Sequence, residues 1–232
     1  VAVRAPRRLE AILVDGEWLR SCRLAPAWLA EVACPVKEVS AGELCRVGGP
    51  DARQVVAVIR PQQQLELDEV MGDPGECRGL LALDGVTDPG NLGALLRSAV
   101  FFGMSGVLLP EDNCARMSST VMKRSAGAAA FCRVVTVRNL RRALAELKEA
   151  GFWNYGTVAS GGVSLGQQEF VPRTCLVLGG EGTGMRSGVR KVCDVLLSLP
   201  GEFESLNVSA FGAVMLYEWR HQKKLDKPIS RG

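Results

Sequence analysis

From about Leu80 onward, short and strongly apolar runs alternate with longer amphipathic ones, and this alternation restricts the possible folds more than any other feature of the chain. The runs "LLALDG", "GVLLP", "FCRVVTV", "FWNYGTVA", "TCLVLGG" and "VLLSLP" have the length and side-chain branching of strands. Between most of them apolar residues recur at helical spacing. Leu92, Leu95, Leu96, Ala99 and Val100 share one face of a predicted helix that stops at Gly103. Leu140, Leu144 and Leu147 share a face of another that ends at Gly151, and a last helix is expected through "SLNVSAFGAVMLYEWRHQ". Strands apolar on both faces, separated by helices, predict an α/β fold with a mostly parallel sheet and helices on both faces.

Upstream the pattern changes. Residues 1–62 carry shorter runs such as "LEAILVDG", "PAWLAEVA" and "RQVVAVIRP", which predict a small α/β domain. Residues 63–78 are polar, punctuated by Pro and Gly, and read as a linker with at most a turn of helix; residues 79–232 form the main domain. The chain begins at Val1, so its natural N-terminus is expected to lie upstream. No stretch of about eighteen apolar residues occurs, so no membrane span is expected.

The 232 residues include one histidine, His221, beyond the last apolar run. A Ser–His–Asp hydrolase would have to rely on it, and a histidine-rich metal site is impossible. The eight cysteines are widely spaced with no CxxC pair, so they are expected to be buried free thiols of a reducing compartment rather than metal ligands. Chemistry here is expected to run mostly without imidazole.

In open α/β sheets ligands bind beyond the carboxyl ends of the strands, and the loops there carry three unusual segments. The first, "GVTDPGNLG", places Asn91 at an expected helix N-cap and Arg97 six residues on. It is either a well-capped helix with a solvent-facing arginine or a site at which Arg97 holds a phosphate or developing oxyanion. The second, "GGEGTGM", exposes backbone N–H groups at Gly179, Gly180, Gly182 and Gly184 around Glu181. It fits neither a dinucleotide-binding register nor a P-loop, and its carboxylate suits a cationic or neutral ligand. The third, "PGEFESLNVSAFG", offers Ser205, Asn207 and Ser209 at the start of the last helix, either as a cap or as donors and acceptors beside the other two loops.

Taken together, "DGVTDPGNLGALLRSAVFFG", "LVLGGEGTGM" and "SLPGEFESLNVSAFGAVMLYEW" closely resemble the three motifs of the SpoU, or TrmH-like, RNA ribose 2′-O-methyltransferases of the SPOUT class, in the family's order and over about Leu80 to Trp219. The resemblance implies a C-terminal trefoil knot and methyl transfer from S-adenosyl-L-methionine to a ribose 2′-hydroxyl. Residues 1–62 more loosely resemble the small ribosomal-protein-like, RNA-binding domain of many relatives. Carried over by motif, Asn91, Arg97, Glu181, Ser205 and Asn207 are the implied catalytic residues. Thr157, Gly179, Gly180, Leu199 and Leu206 are the implied cofactor-binding ones. An RNA partner, ribosomal more than transfer RNA, and a homodimer are also implied, with no membrane and no metal. Arg97 is expected to orient and stabilise the developing alkoxide, with the general base left open.

One departure stands out: the "GEFE" segment before "SLN" is about two residues shorter than is common in the family, which shortens the loop bordering the donor pocket. The alternative is therefore an RNA-binding assembly factor that kept the fold without turnover. The net charge of +3 is small for a nucleic-acid binder, so contact would rest on local clusters: Arg4, Arg7 and Arg8; Lys123 and Arg124; Arg138, Arg141 and Arg142; or 220–227. The expected compartment is the cytoplasm, with an organelle left open.

Overall fold

The structure, a computed structural model, describes residues 8–22, 27–29, 32–60, 64–73, 78–202 and 206–223. The chain divides into two compact units, 1–63 and 64–232. Ser205, Cys77 and the basic residues Arg4, Arg7 and 224–227 lie outside the described residues.

The first unit contains β1 (Leu9–Asp15), α1 (Gly16–Ser21), β2 (Val36–Val39), α2 (Ala41–Gly48) and β3 (Val55–Ile59). Its three-stranded sheet has the order β2-β1-β3, with β1 parallel to β2 and antiparallel to β3. The apolar run of β1 makes it the central strand, burying Ile12, Leu13 and Val14. Each helix begins at a side-chain cap: the Asp15 carboxylate accepts from Trp18 N at 2.7 Å, and Ser40 Oγ from Glu43 N at 3.3 Å.

The second unit contains α3 (Leu67–Met71), β4 (Arg78–Asp84), α4 (Pro89–Phe102), β5 (Gly106–Pro110), α5 (Ser119–Arg124), β6 (Val134–Val137), α6 (Leu140–Glu149) and β7 (Trp153–Thr157). It continues through β8 (Val163–Ser164), β9 (Arg173–Gly179), α7 (Ser187–Arg190), β10 (Val195–Ser198) and α8 (Val208–Gln222). The sheet order is β6-β5-β4-β9-β7-β10-β8, and every pairing between neighbours is parallel. Successive strands β4, β5 and β6 step one way across the sheet, and the later strands lie on the other side of β4. The order therefore reverses between β4 and β9, where a parallel α/β sheet opens a crevice for a ligand.

Strand alternation divides the core into two layers. Leu81, Leu83, Leu176 and Leu178 face one layer with Leu92, Leu95 and Leu96 of α4 and Met215, Leu216 and Trp219 of α8. Leu80, Ala82, Cys175 and Val177 face the other with Leu140, Leu144 and Leu147 of α6. Each fully buried leucine contributes about 1.5–3 kcal/mol relative to exposure. The expected faces of α4 and α6 are thus the buried ones, and Gly103 ends α4 in the left-handed conformation, φ 77°.

Five elements differ from the sequence expectations. α4 starts at Pro89 with Asp88 as its N-cap, whose carboxylate accepts from Asn91 N at 2.7 Å. Asn91 therefore stands inside the first turn rather than at the cap. The polar stretch 63–78 contains α3, whose Val70 is fully buried and packs against Gly106. Arg133 Nη2 and Arg173 Nη1 also donate to the Glu69 and Asp73 carbonyls, at 2.6 and 2.7 Å. The helices α5 and α7 and the two-residue β8 escape a periodicity reading because none is long enough to repeat a pattern.

Trp219 seals the α8 side of the sheet against Gly79: a Cβ built there would lie 2.3 Å from the indole. The ring is fully buried and has nowhere to move. Gly79→Ala is expected to destabilise the protein by about 1–3 kcal/mol through overpacking, read as a lower urea midpoint at unchanged slope.

Candidate active site

At the switch point β4 ends in a fully buried carboxylate, Asp84. It accepts from Arg186 N at 2.7 Å, Nε at 2.6 Å and Nη2 at 2.6 Å. A buried carboxylate is tolerated when it is paired and hydrogen-bonded, and Arg186 supplies both. Beside it Gly180 N donates to the Asp84 carbonyl at 2.8 Å, bringing the ends of β4 and β9 into backbone contact. Only glycine fits there: a Cβ on Gly180 would lie 2.1 Å from Gly85 O, and one on Gly179 2.3 Å from the Gly184 carbonyl carbon.

From this crossing the chain makes a tight turn. Gly184 N donates to Gly180 O at 3.0 Å and Thr183 N to Glu181 O at 2.9 Å, with Gly182 and Gly184 at positive φ. The turn leaves Glu181 exposed at its tip, tied at one end by the Gly180–Asp84 bond and at the other by Arg186.

Asn207 joins the three loops. It is the N-cap of α8, and its Oδ1 accepts from Ser209 N at 2.9 Å. Its Nδ2 donates to Asn91 Oδ1 at 3.0 Å and to Glu181 Oε1. Backbone donors on one side and carboxylate and amide acceptors on the other fix the orientation of this amide. Because Asn91 spends its oxygen on Asn207, its Nδ2 is the atom left to donate outward. Asn91, Glu181 and Asn207, drawn from segments far apart in sequence, thus form one bonded cluster.

Arg97 lies farther along α4, exposed, with no hydrogen bond or ion pair among the described residues. Thr157, at the end of β7, is buried, and its Oγ1 accepts from Gly179 N at 3.4 Å. Thr157 pairs with Leu197 of β10, so Leu199 follows just beyond the neighbouring strand end. Leu199 is half-buried, whereas Leu206 exposes 54% of its surface. Ser205 and the preceding two residues of the shortened loop are outside the described residues.

Two features of the site were not read from the sequence. The Asp84–Arg186 pair joins the first quoted segment to the residue just after the second, and its signal was a carboxylate at the end of an otherwise apolar strand. The other is a groove of about 510 Å³ beside Asn91, lined also by Asp88, Gly90, Ala94, Thr120 and Arg124.

Other nucleophiles do not compete. Burial pushes the Cys114 thiol up to about 11 and those of Cys132 and Cys193 to about 12, and it raises Cys175 as well, so at neutral pH these stay protonated. Cys132 and Cys175 are buried free thiols, while Cys114 and Cys193 are half-buried. His221 stacks on Tyr217, about 20 Å along α8 from Asn207 at about 1.5 Å per residue. No group of His, Cys, Asp and Glu that could hold a metal occurs among the described residues, and none of their helices is long and apolar enough to cross a membrane.

Residues 79–217 match the SpoU rRNA Methylase family. The 23S rRNA (guanosine-2′-O-)-methyltransferase RlmB of Xylella fastidiosa is 40% identical over 196 residues, covering 82% of this chain and 79% of that one. An uncharacterized tRNA/rRNA methyltransferase of Synechocystis sp. is 41% identical over 180 residues, 75% of this chain; the chain spans 47% of that longer protein. Among solved structures, the SpoU methyltransferase AviRb of Streptomyces viridochromogenes, in complex with AdoMet, superposes with a TM-score of 0.78 at 23% identity, over 93% of this chain and 83% of that one.

Asn207 both caps α8 and joins the loops. Asn207→Ala is expected to cost about 0.5–2 kcal/mol, the usual loss of an N-cap, in chemical denaturation. Asn207→Ser should recover most of that stability, because serine restores the cap, without restoring the bonds to Asn91 and Glu181.

Proposed function

Because the chain belongs to the SpoU rRNA methylase family, we propose that it is an S-adenosylmethionine-dependent RNA 2′-O-methyltransferase. Its substrate is a ribose 2′-hydroxyl in structured RNA, ribosomal rather than transfer RNA, and its place of work is the cytoplasm. The observation that carries the reading is the Asn207 bond pair, which gathers Asn91 and Glu181 at the sheet's switch point beside α4, the helix that bears Arg97. Nothing among the described residues favours a non-catalytic assembly factor.

The residues present fit a sulfonium donor. Arg186, the cation at these strand ends, is neutralised by Asp84, and Glu181 adds a carboxylate. Contrary to the exposed N–H groups expected from the sequence, Gly179 and Gly180 are buried and donate to Thr157 Oγ1 and the Asp84 carbonyl, so they would border the donor as side-chain-free backbone rather than as free donors. Leu199 and the exposed Leu206 would cover its adenine. S-adenosylmethionine supplies, when bound, a methyl group already activated as an electrophile. This chain's task is to orient the hydroxyl and stabilise the negative charge that grows on its oxygen. The Arg97 guanidinium, committed to no partner among the described residues, would stabilise that oxygen by charge-assisted hydrogen bonds. Asn91 Nδ2 donates toward the ribose, Glu181 and Asn207 hold Asn91 in place, and Ser205 adds a hydroxyl from the third loop. The return of β9 between β4 and β7 supports the trefoil knot that the resemblance implies. The small sheet of 1–62 serves as the RNA-binding domain.

Wild type is expected to transfer tritiated methyl groups to unmodified ribosomal RNA. Arg97→Ala should lower turnover by about 100-fold or more while calorimetric donor binding persists. Full activity of that variant would overturn the role given to Arg97, and absence of donor binding in wild type would overturn the function.

A homodimer completes the reading. Met215 and Trp219 of α8 belong to the core, but Phe101 of α4 exposes 74% of its surface, Tyr217 57% and Val214 40%. Phe101 and Tyr217 both pack near Phe102, with ring centroids 5.0 and 6.3 Å away, so the exposed rings form one patch. Phe101→Glu is expected to shift the mass measured by light scattering from dimer to monomer; an unchanged mass would remove this face from the interface.

A further inference from the structure

We propose that Arg124, with Thr120, binds a backbone phosphate of the RNA next to the nucleotide that is methylated. The inference deepens the methyltransferase reading and rests on it. Three observations lead there. First, Arg124 and Thr120 line the same groove as Asn91. At about 510 Å³ the groove is within the range of small-ligand pockets, large enough for one nucleotide unit.

Second, Arg124 has no partner among the described residues, and the end of its own helix does not need it. Cations at helix C-termini are ordinarily explained by the exposed carbonyls there. In α5 three of the last four carbonyls are already satisfied. Val121 O accepts from Ser125 N, Met122 O from Gly127 N and Ser125 Oγ, and Lys123 O from Ala126 N. The groove's carboxylate, Asp88, gives its Oδ1 to the Asn91 N–H cap rather than to Arg124.

Third, α5 is set tightly on α4 at this point. A Cβ on Gly93 would come within 2.6 Å of Arg124 Cβ, so only glycine allows the approach. Arg97 is one turn beyond Gly93 on the same face of α4. Two guanidiniums are therefore brought to neighbouring helix surfaces, and the carboxylate that lines the groove, Asp88, forms no ion pair with either among the described residues, an arrangement in which a bound anion would be stabilised. A phosphodiester on Arg124 and the reacting ribose on Arg97 fit it, since consecutive nucleotides present both groups together. Arg124 is a substrate-positioning residue, with no contact to the reacting atoms.

The test measures binding of unmodified, in vitro transcribed 23S rRNA to wild type, Arg124→Gln and Arg124→Lys across a salt series. Donor affinity is measured by calorimetry on the same preparations. Arg124→Gln is expected to weaken RNA binding about tenfold at physiological salt and to make the log–log salt slope shallower by about 0.7–0.9, the loss of one phosphate contact. Its KM for RNA should rise by a similar factor with kcat within about twofold of wild type. Arg124→Lys should restore most of the slope, because it restores the charge. Unchanged donor affinity in all three proteins shows an intact site. An unchanged slope and KM in Arg124→Gln would overturn the inference, as would a fall in kcat alone. Failure of the methyltransferase reading would look different: wild type itself would bind no donor, whereas the salt slopes would still decide whether Arg124 meets RNA.

Discussion

A carboxylate with no exposed surface, Asp84, sits at the end of the central strand β4, and the site depends on how it is satisfied. Leaving it unpaired would bury an isolated charge, which proteins do not tolerate. The partner comes from after the next strand in the sheet. Arg186 donates from its backbone and its side chain while keeping half of that side chain in water, so the pair loses less hydration than two fully buried ions would. This requirement determines the path of the chain between Gly180 and Arg186. With both ends held against β4, the intervening residues can only turn back on themselves, and the glycines at positive φ permit it. Glu181 is at the tip for that reason.

A second division runs through the arginines. Some are engaged in charge pairs: Arg186 with Asp84, and on the surface Arg142 with Glu146 at 2.9 Å and Arg138 with Glu111 at 3.7 Å. Exposed pairs of this kind are worth about 0–1 kcal/mol and leave little charge for a polyanion. Arg97 and Arg124 are different: they lie on packed helices beside the candidate site and form no ion pair among the described residues. The distribution explains how a chain with a net charge of only +3 can address RNA. On the proposed reading, local charge at the candidate site matters more than the total, which suits an RNA recognised by shape.

Much of this was legible in the residues, and the illegible parts share a cause. Periodicity identified the strands and the buried faces of α4 and α6, because long elements repeat their pattern several times. Three glycine-bearing loops after strands marked the site. What periodicity could not supply was anything decided by tertiary contact. The start of α4 moved back to Asp88 because a proline at the first helical position and a carboxylate before it cap better than Asn91 does. Val70 turned a polar stretch into part of the core, since one buried side chain opposite Gly106 is enough to dock a short helix. The strand order, and with it the meeting of β4 and β9, is a property of the assembled sheet alone.

Asn207 shows why fold and site are hard to separate here. A side-chain amide has one acceptor and one donor group, and each is committed to a different task. The oxygen satisfies backbone N–H groups that open α8, so the residue would be favoured there with no chemistry at all. The nitrogen then points by geometry to the opposite side, where Asn91 and Glu181 supply acceptors. Asn91, held by that bond, in turn lines the groove. The polarity offered to a substrate is thereby set two bonds away, by the rule that helix N-termini need acceptors.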